Sequence, residues 1–233
     1  EGTNSTLAQA KLLKHEDWDG GTYWVSDATQ AYRIANLEIK NVVRAVIVFF
    51  ELETILVVDR LAKWKEPAKF EARFFADNWE GDATLSTSAD GFTIARPAGF
   101  AQAKVWSRDA LTVREDQLPI PAERAAKHPF VAVETASSML TTLVTAIAIG
   151  KTGEAASEVS FEADDDGVNV TIKSTQGSST CRIEDRELVP VIEIKDFAIE
   201  TPGFRMGPVN LRVEKGGYCV LLGPSGSGKT SLI

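Results

Sequence analysis

Residues 42–62 read VVRAVIVFFELETILVVDRLA, and the reading of this stretch decides the fold. Its first part is almost wholly apolar but carries Arg44, Glu51 and Glu53. A membrane span needs about 20 residues nearly free of charge, and this run is too short and too charged for one. Val, Ile and Phe crowd positions 42–50, a polar turn follows, and Ile55–Val58 is again β-branched and apolar. That pattern predicts two buried strands, 39–51 and 53–62, joined as a hairpin. Arg44 inside an apolar strand must be paired or must lift its head group to water, and Glu51 and Asp59 are the two partners within reach.

Working outward, the same β texture runs through residue 185. TYWVSDATQAY (22–32) alternates and is rich in aromatic and β-branched residues. Further strands are expected at 69–77, 83–88, 91–96 and 102–107, separated by Trp79-Glu80-Gly81-Asp82, Ala89-Asp90-Gly91 and Pro97-Ala98-Gly99. A Pro-punctuated loop, 117–130, interrupts the series, which resumes at 130–136, 139–150, 157–164, 167–174 and 179–185. SMLTTLVTAIAI (138–149) also suits a buried helix, but its Thr, Val and Ile content and its place in a strand series favour a strand. Short strands at such spacing, with no convincing amphipathic helix, predict an antiparallel β-sandwich.

Bulk composition excludes several classes. The 233 residues are 44% apolar and 25% charged, with a net charge of −8, which is ordinary for a globular chain able to bury a core. A nucleic-acid partner is not expected, because phosphate binding requires clustered Lys and Arg. Cys181 and Cys219 are far apart in segments assigned to different units, so no disulfide framework is expected. The opening EGTNST has neither Met nor an apolar run and reads as a cut edge.

The texture changes at RELVPV (186–191). We expect a domain at 1–185, a linker at 186–190 and a second unit at 191–233, running strand, turn, strand, turn, strand, loop. Its last strand, YCVLLG (218–223), is uniformly apolar, as a parallel strand buried on both faces should be. There follows Gly223-Pro224-Ser225-Gly226-Ser227-Gly228-Lys229-Thr230, then Ser231, which satisfies G-x-x-x-x-G-K-[ST] at every fixed position. Gly223, Gly226 and Gly228 let consecutive N–H groups face an anion, and a helix beginning near Gly228 adds its positive end. Lys229 is expected on the β- and γ-phosphates of ATP and Thr230 on Mg2+.

Residues 191–233, IEIKDFAIET through GPVNLRVEKGGYCVLLGPSGSGKTSLI, resemble the opening of an ABC-transporter ATPase subunit. The resemblance implies a truncated α/β P-loop fragment, ATP and Mg2+ as cofactors, and a transporter membrane subunit as partner. It also implies an aromatic residue stacked on adenine. The register puts Thr201 there with Phe204 close by, so Phe204 is the candidate, and a plain core Phe is the alternative. No Walker B strand, signature segment, Q-loop or switch His follows, so no ATP hydrolysis is expected of this chain.

The larger part resembles the C-terminal β-sandwich of the heparinase II/III-like polysaccharide lyases. The matching elements are D-A-T-x-A-Y (Asp27 to Tyr32), R-x-V-x-x-F (Arg44 to Phe49) and V-V-D-R-L (Val57 to Leu61). The resemblance implies cleavage of acidic, uronate-containing polysaccharides by β-elimination in the whole enzyme. It puts the principal catalytic residues mainly in an N-terminal helical toroid, which is not expected in this sequence, and at its junction with the sandwich, so no catalytic residue is assigned here. His15, in KHEDWD, is read as part of a solvated acidic loop rather than a metal ligand, and His128 as a surface residue. Tyr23, Trp24 and Tyr32 are expected to pack on the sheet, Asp27 and Asp59 to serve turns or strand ends, and Trp64, Trp79 and Trp106 to lie in the core or at its rim. The two resemblances imply different compartments, periplasmic or secreted for the lyase and the cytoplasmic membrane face for the ATPase. The expectation is therefore an incomplete, fusion-like chain. The alternative is an ABC ATPase fragment carrying an unrelated structural or sugar-binding β module.

Overall fold

The computed structural model describes residues 9–184, 190–201 and 204–214. In chain order the first part holds β1 (Lys11–Trp18), β2 (Gly21–Asp27), α1 (Thr29–Arg33), β3 (Ile39–Phe49), β4 (Thr54–Lys63), β5 (Glu71–Phe75), β6 (Thr84–Thr87) and β7 (Gly91–Arg96). Then come β8 (Gly99–Ser107), β9 (Leu111–Asp116), α2 (Ala122–Ala125), β10 (Phe130–Thr135), β11 (Leu140–Lys151), β12 (Glu158–Asp164), β13 (Gly167–Ser174) and β14 (Gly177–Glu184). The chain divides into two compact units between Ile183 and Glu184.

The hairpin read from residues 42–62 is β3–β4, with Arg44 opposite Asp59 and Ala45 opposite Val58. Its turn holds Glu53 at φ +46°, a left-handed conformation that is uncommon outside Gly. The hairpin sits inside an eight-stranded sheet of order β1-β2-β3-β4-β11-β8-β7-β6. The ambiguous segment 138–149 is β11, which pairs antiparallel with β4 and with β8 at the centre of that sheet.

Alternation along β11 explains how the layers assemble. Val144 and Ala146 join Leu56, Val58, Val168, Val170 and Ile172 in one core, beneath the three-stranded sheet β12-β13-β14. Leu143, from the opposite side of the pleat, joins Phe92, Val105, Val131 and Val133 in a second core, beneath the sheet β5-β10-β9. The fold is therefore mainly β and built as a sandwich: the long antiparallel sheet is covered by a small antiparallel sheet on each face. A strand buried on both faces must be apolar at successive positions, and this requirement makes LTTLVTAIAI look helical in sequence.

Several expectations change. Lys14–Trp18 of KHEDWD belong to strand β1 at the edge of the large sheet rather than to a loop, with His15 opposite Trp24 and Asp19 in the turn that follows. TYWVSDATQAY is not one strand, because β2 ends at Asp27 and α1 follows. The Asp27 carboxylate accepts the Thr29 backbone N–H at 2.8 Å and turns the chain. Asp90-Gly91 does mark the β6–β7 hairpin. Gly is required there because a Cβ on Gly91 would stand 2.2 Å from the Ala103 carbonyl oxygen.

In the second unit β15 (Pro190–Thr201) and β16 (Phe204–Glu214) form a two-stranded antiparallel sheet. β15 begins at Pro190 itself, and Thr201 lies opposite Phe204 at the tip.

Candidate functional site

The Arg44–Asp59 pair lines a cleft of the first unit. The β3–β4 register sets the two residues directly across from each other, on the face away from the β12–β14 layer. Arg44 Nε donates to Asp59 Oδ1 at 2.6 Å and Nη2 to Oδ2 at 2.9 Å, a two-pronged charge-assisted contact. The Asp59 side chain is only 7% exposed, whereas that of Arg44 is 50% exposed. The carboxylate is thus sunk in the sheet, and the guanidinium it holds forms part of an open wall. Hydrogen bonding to Asp59 raises the Arg44 pKa against the opposing cost of burial, which keeps the cation charged.

Helix α1 supplies the lip. Thr29 Oγ1 accepts the Val42 N–H at 3.0 Å, and Arg33 donates to the carbonyls of Ile39 (2.8 Å) and Lys40 (3.2 Å). These bonds fasten α1 across β3 and leave Tyr32 exposed beside the cleft. Lys69 and Glu71 form the facing wall. The cleft has a volume of about 370 Å³ and is bounded by Ser26, Tyr32, Arg44, Asp59, Lys69 and Glu71, with Val42 and Leu61 as apolar lining.

KFEARFF (69–75) carries Lys69, Glu71 and Arg73 at alternate positions, with Phe70, Ala72 and Phe74 between them. Period-2 alternation sends the two sets to opposite faces. Lys69 Nζ bonds Glu134 Oε1 at 2.8 Å. Burial pushes the Glu71 carboxyl up, but hydrogen bonds from Arg73 and Arg114 outweigh it and hold that carboxyl below its ordinary range. Both carboxylates of the cleft are therefore engaged by guanidinium groups. The cations that line the cleft are Arg44, half-exposed and paired with Asp59, and Lys69, exposed and bonded to Glu134. Neither histidine lies in the cleft: His15 is on β1, and His128 follows α2.

The other residues singled out in sequence are scattered. Gly223, Pro224, Ser225, Gly226, Ser227, Gly228, Lys229, Thr230 and Ser231 lie outside the described residues, as does Cys219. Phe204 opens β16 opposite Thr201, so the hairpin brings the two sequence candidates together. His15 Nε2 stands 3.3 Å from Asp17 Oδ1 and 3.4 Å from Thr22 Oγ1. Among the described residues no three His, Cys, Asp or Glu side chains group to hold a metal ion. The Tyr23 hydroxyl donates to Glu16 Oε2 at 3.1 Å, and the Cys181 thiol is raised by burial. Asp27 serves a turn, but Asp59 is a mid-strand ion-pair partner. Trp106 packs against the first core, whereas Trp64 and Trp79 are exposed and belong to neither. His128 is not a plain surface residue, because its ring meets Trp79 edge-on at 5.6 Å. Sequence reading passed over Lys69 and Glu71, although the alternating charges of KFEARFF were a usable signal.

Comparison with known proteins bears on the fold. No family model matches the sequence, and no curated protein matches it. Among solved structures, the crystal structure of heparinase III is similar with a TM-score of 0.54 and 14% identity, over 75% of this chain and 27% of that one. A heparinase III gene product matches with a TM-score of 0.54 and 9% identity, over 76% of this chain and 28% of that one. Its form with methylated lysines matches with a TM-score of 0.51 and 11% identity, over 76% and 27%. The chain has a heparinase III-like β fold and spans little more than a quarter of the length of these structures. Among the described residues no helix is long and apolar enough to cross a membrane.

Proposed function

We propose that residues 1–185 are the non-catalytic β module of a polysaccharide lyase and contribute one wall of a groove for a uronate-containing glycan. The observation that carries this reading is the cleft of Tyr32, Arg44 and Lys69 within a heparinase III-like sheet arrangement. A sugar carboxylate can take the N–H groups of Arg44 not used by Asp59, together with Lys69, while Tyr32 offers a ring and a hydroxyl. No catalytic role is proposed for these residues, and bond cleavage is assigned to other parts of such an enzyme. The test is thermal melting with and without an alginate oligouronate. A ligand that binds the folded state raises Tm, so the expected result is a rise that is lost in Lys69→Ala. No shift, or the same shift in Lys69→Ala, contradicts the reading. No unsaturated product is expected to form.

A second reading attaches to residues 191–233 and rests on the sequence motif alone. Gly223 to Ser231 bind the phosphates of ATP, Thr230 contacts Mg2+, and Phe204 is the candidate beside the base, as the resemblance to ABC-transporter ATPases implies. A Tm rise with ATP and Mg2+ that vanishes in Lys229→Ala supports it, and the absence of any rise counts against it.

A further inference from the structure

Neighbouring strands fix where Asp59 stands. Its β4 backbone pairs with Arg44 of β3 on one side and with Leu143 of β11 on the other. Ser26 of β2 lies directly opposite Arg44 in the same row, and its hydroxyl donates to the Arg44 carbonyl at 3.3 Å. The next residues on the Arg44 face of β3 are Val42 and Val46, whose side chains carry no acceptor. Asp59 is therefore the carboxylate that register places beside the Arg44 side chain. Both of its oxygens are used there, on Nε and Nη2.

Those two bonds occupy one edge of a planar group. A guanidinium is a rigid fork of N–H donors. With Nε and one Nη2 hydrogen taken, its Nη1–Nη2 end keeps two parallel N–H bonds, the arrangement that grips a carboxylate at two points. Arg44 Nη1 takes no part in the contact with Asp59. The Arg44 side chain is half in water and lines the cleft with Tyr32 and Lys69, whereas Asp59 is sunk in the sheet.

We propose that Asp59 is a positioning residue that strengthens the binding of an anion although it is itself an anion. This role rests on the acidic-glycan reading of the cleft and deepens it. A free arginine side chain has many rotamers, and freezing them on binding weakens affinity. Asp59 orders Arg44 before any ligand arrives, because its own backbone is paired on both sides within the large sheet. Lys69 shows the contrast. It is held to Glu134 through one ammonium contact at 2.8 Å, with the lysine largely in water, and a ligand can replace that contact.

Asp59→Asn removes a negative charge from the cleft. If the cleft draws its ligand by net charge alone, binding tightens; if Asp59 positions Arg44, binding weakens. The test is a calorimetric titration of the full chain with a saturated tetra-uronate and with its neutral, carboxyl-reduced counterpart. In Asp59→Asn the affinity for the tetra-uronate should fall about fivefold, and the preference over the neutral sugar should shrink with it. A loss of folded protein affects both sugars alike and leaves that preference unchanged. Glu134→Gln removes an equal charge beside Lys69 and should bind as well as the wild type or better. Arg44→Lys keeps the positive charge without the fork and should also lose about fivefold; it decides the outcome if Asp59→Asn does not fold. Three results overturn the inference while the acidic-glycan reading stands. They are equal or tighter tetra-uronate binding in Asp59→Asn, undiminished binding in Arg44→Lys, and a fall in Glu134→Gln as large as that in Asp59→Asn. No binding by the wild type overturns both.

Discussion

Arg44 and Asp59 show what a single charge inside an apolar strand demands. The sequence requires a partner for Arg44 and offers two, and register decides between them, because Glu51 falls in the turn while Asp59 lies directly across β4. Removing the cation strands a buried carboxylate, which costs more than the intact pair contributes. Arg44→Met should destabilise by about 2 kcal/mol, less than a fully enclosed pair would lose because Arg44 is half in water. The double variant Arg44→Met, Asp59→Leu should recover most of that loss in denaturant melts. A second residue-scale prediction concerns Asp164. Arg182, then the backbone N–H groups of Asp166 and Gly167, lower its pKa from 3.8 to about 2. The folded-state value lies below the unfolded one, so its stabilisation is present above pH 3.8 and fades as pH falls toward about 2. Asp164→Asn should flatten that part of the Tm–pH profile, which acid melts of both forms can measure.

At the scale of elements, β11 was legible and α1 was not, for opposite reasons. A strand buried on both faces keeps its β-branched content, and that survives as a sequence signal. Helix α1 spans only five residues and is fixed by tertiary bonds, Thr29 Oγ1 to the Val42 N–H and Arg33 to two carbonyls, none of which leaves a local pattern. The acidic run of β1 hid a strand because, at the edge of the sheet, both of its faces meet water and its apolar alternation is lost. β11 feeds both cores, so Leu143→Ala should cost about 3 kcal/mol. Leu143 is fully buried in the core beneath β5-β10-β9. A loss below about 1 kcal/mol in urea titration would mean that this interface is not tightly packed.

At the largest scale, the strand count and turn chemistry predicted an antiparallel β-sandwich for the first unit, and its fold is one, whereas the described part of the second unit is a two-stranded antiparallel sheet. The layering itself was not legible. Which strands leave the central sheet to cover its faces depends on register between residues far apart in sequence, such as Phe92 with Val131 and Val58 with Val170. The cleft was half legible: Tyr32 and Arg44 lay within the family-like motifs, whereas Lys69 reaches them only through the packing of β5. The central claim is that this cleft takes an acidic sugar, and a calorimetric titration of the full chain with a saturated tetra-uronate tests it most directly. Saturable binding, weakened about tenfold in Lys69→Ala and in Tyr32→Ala with Tm unchanged, is the predicted result. Heats that match simple dilution, or binding that neither substitution alters, would contradict it.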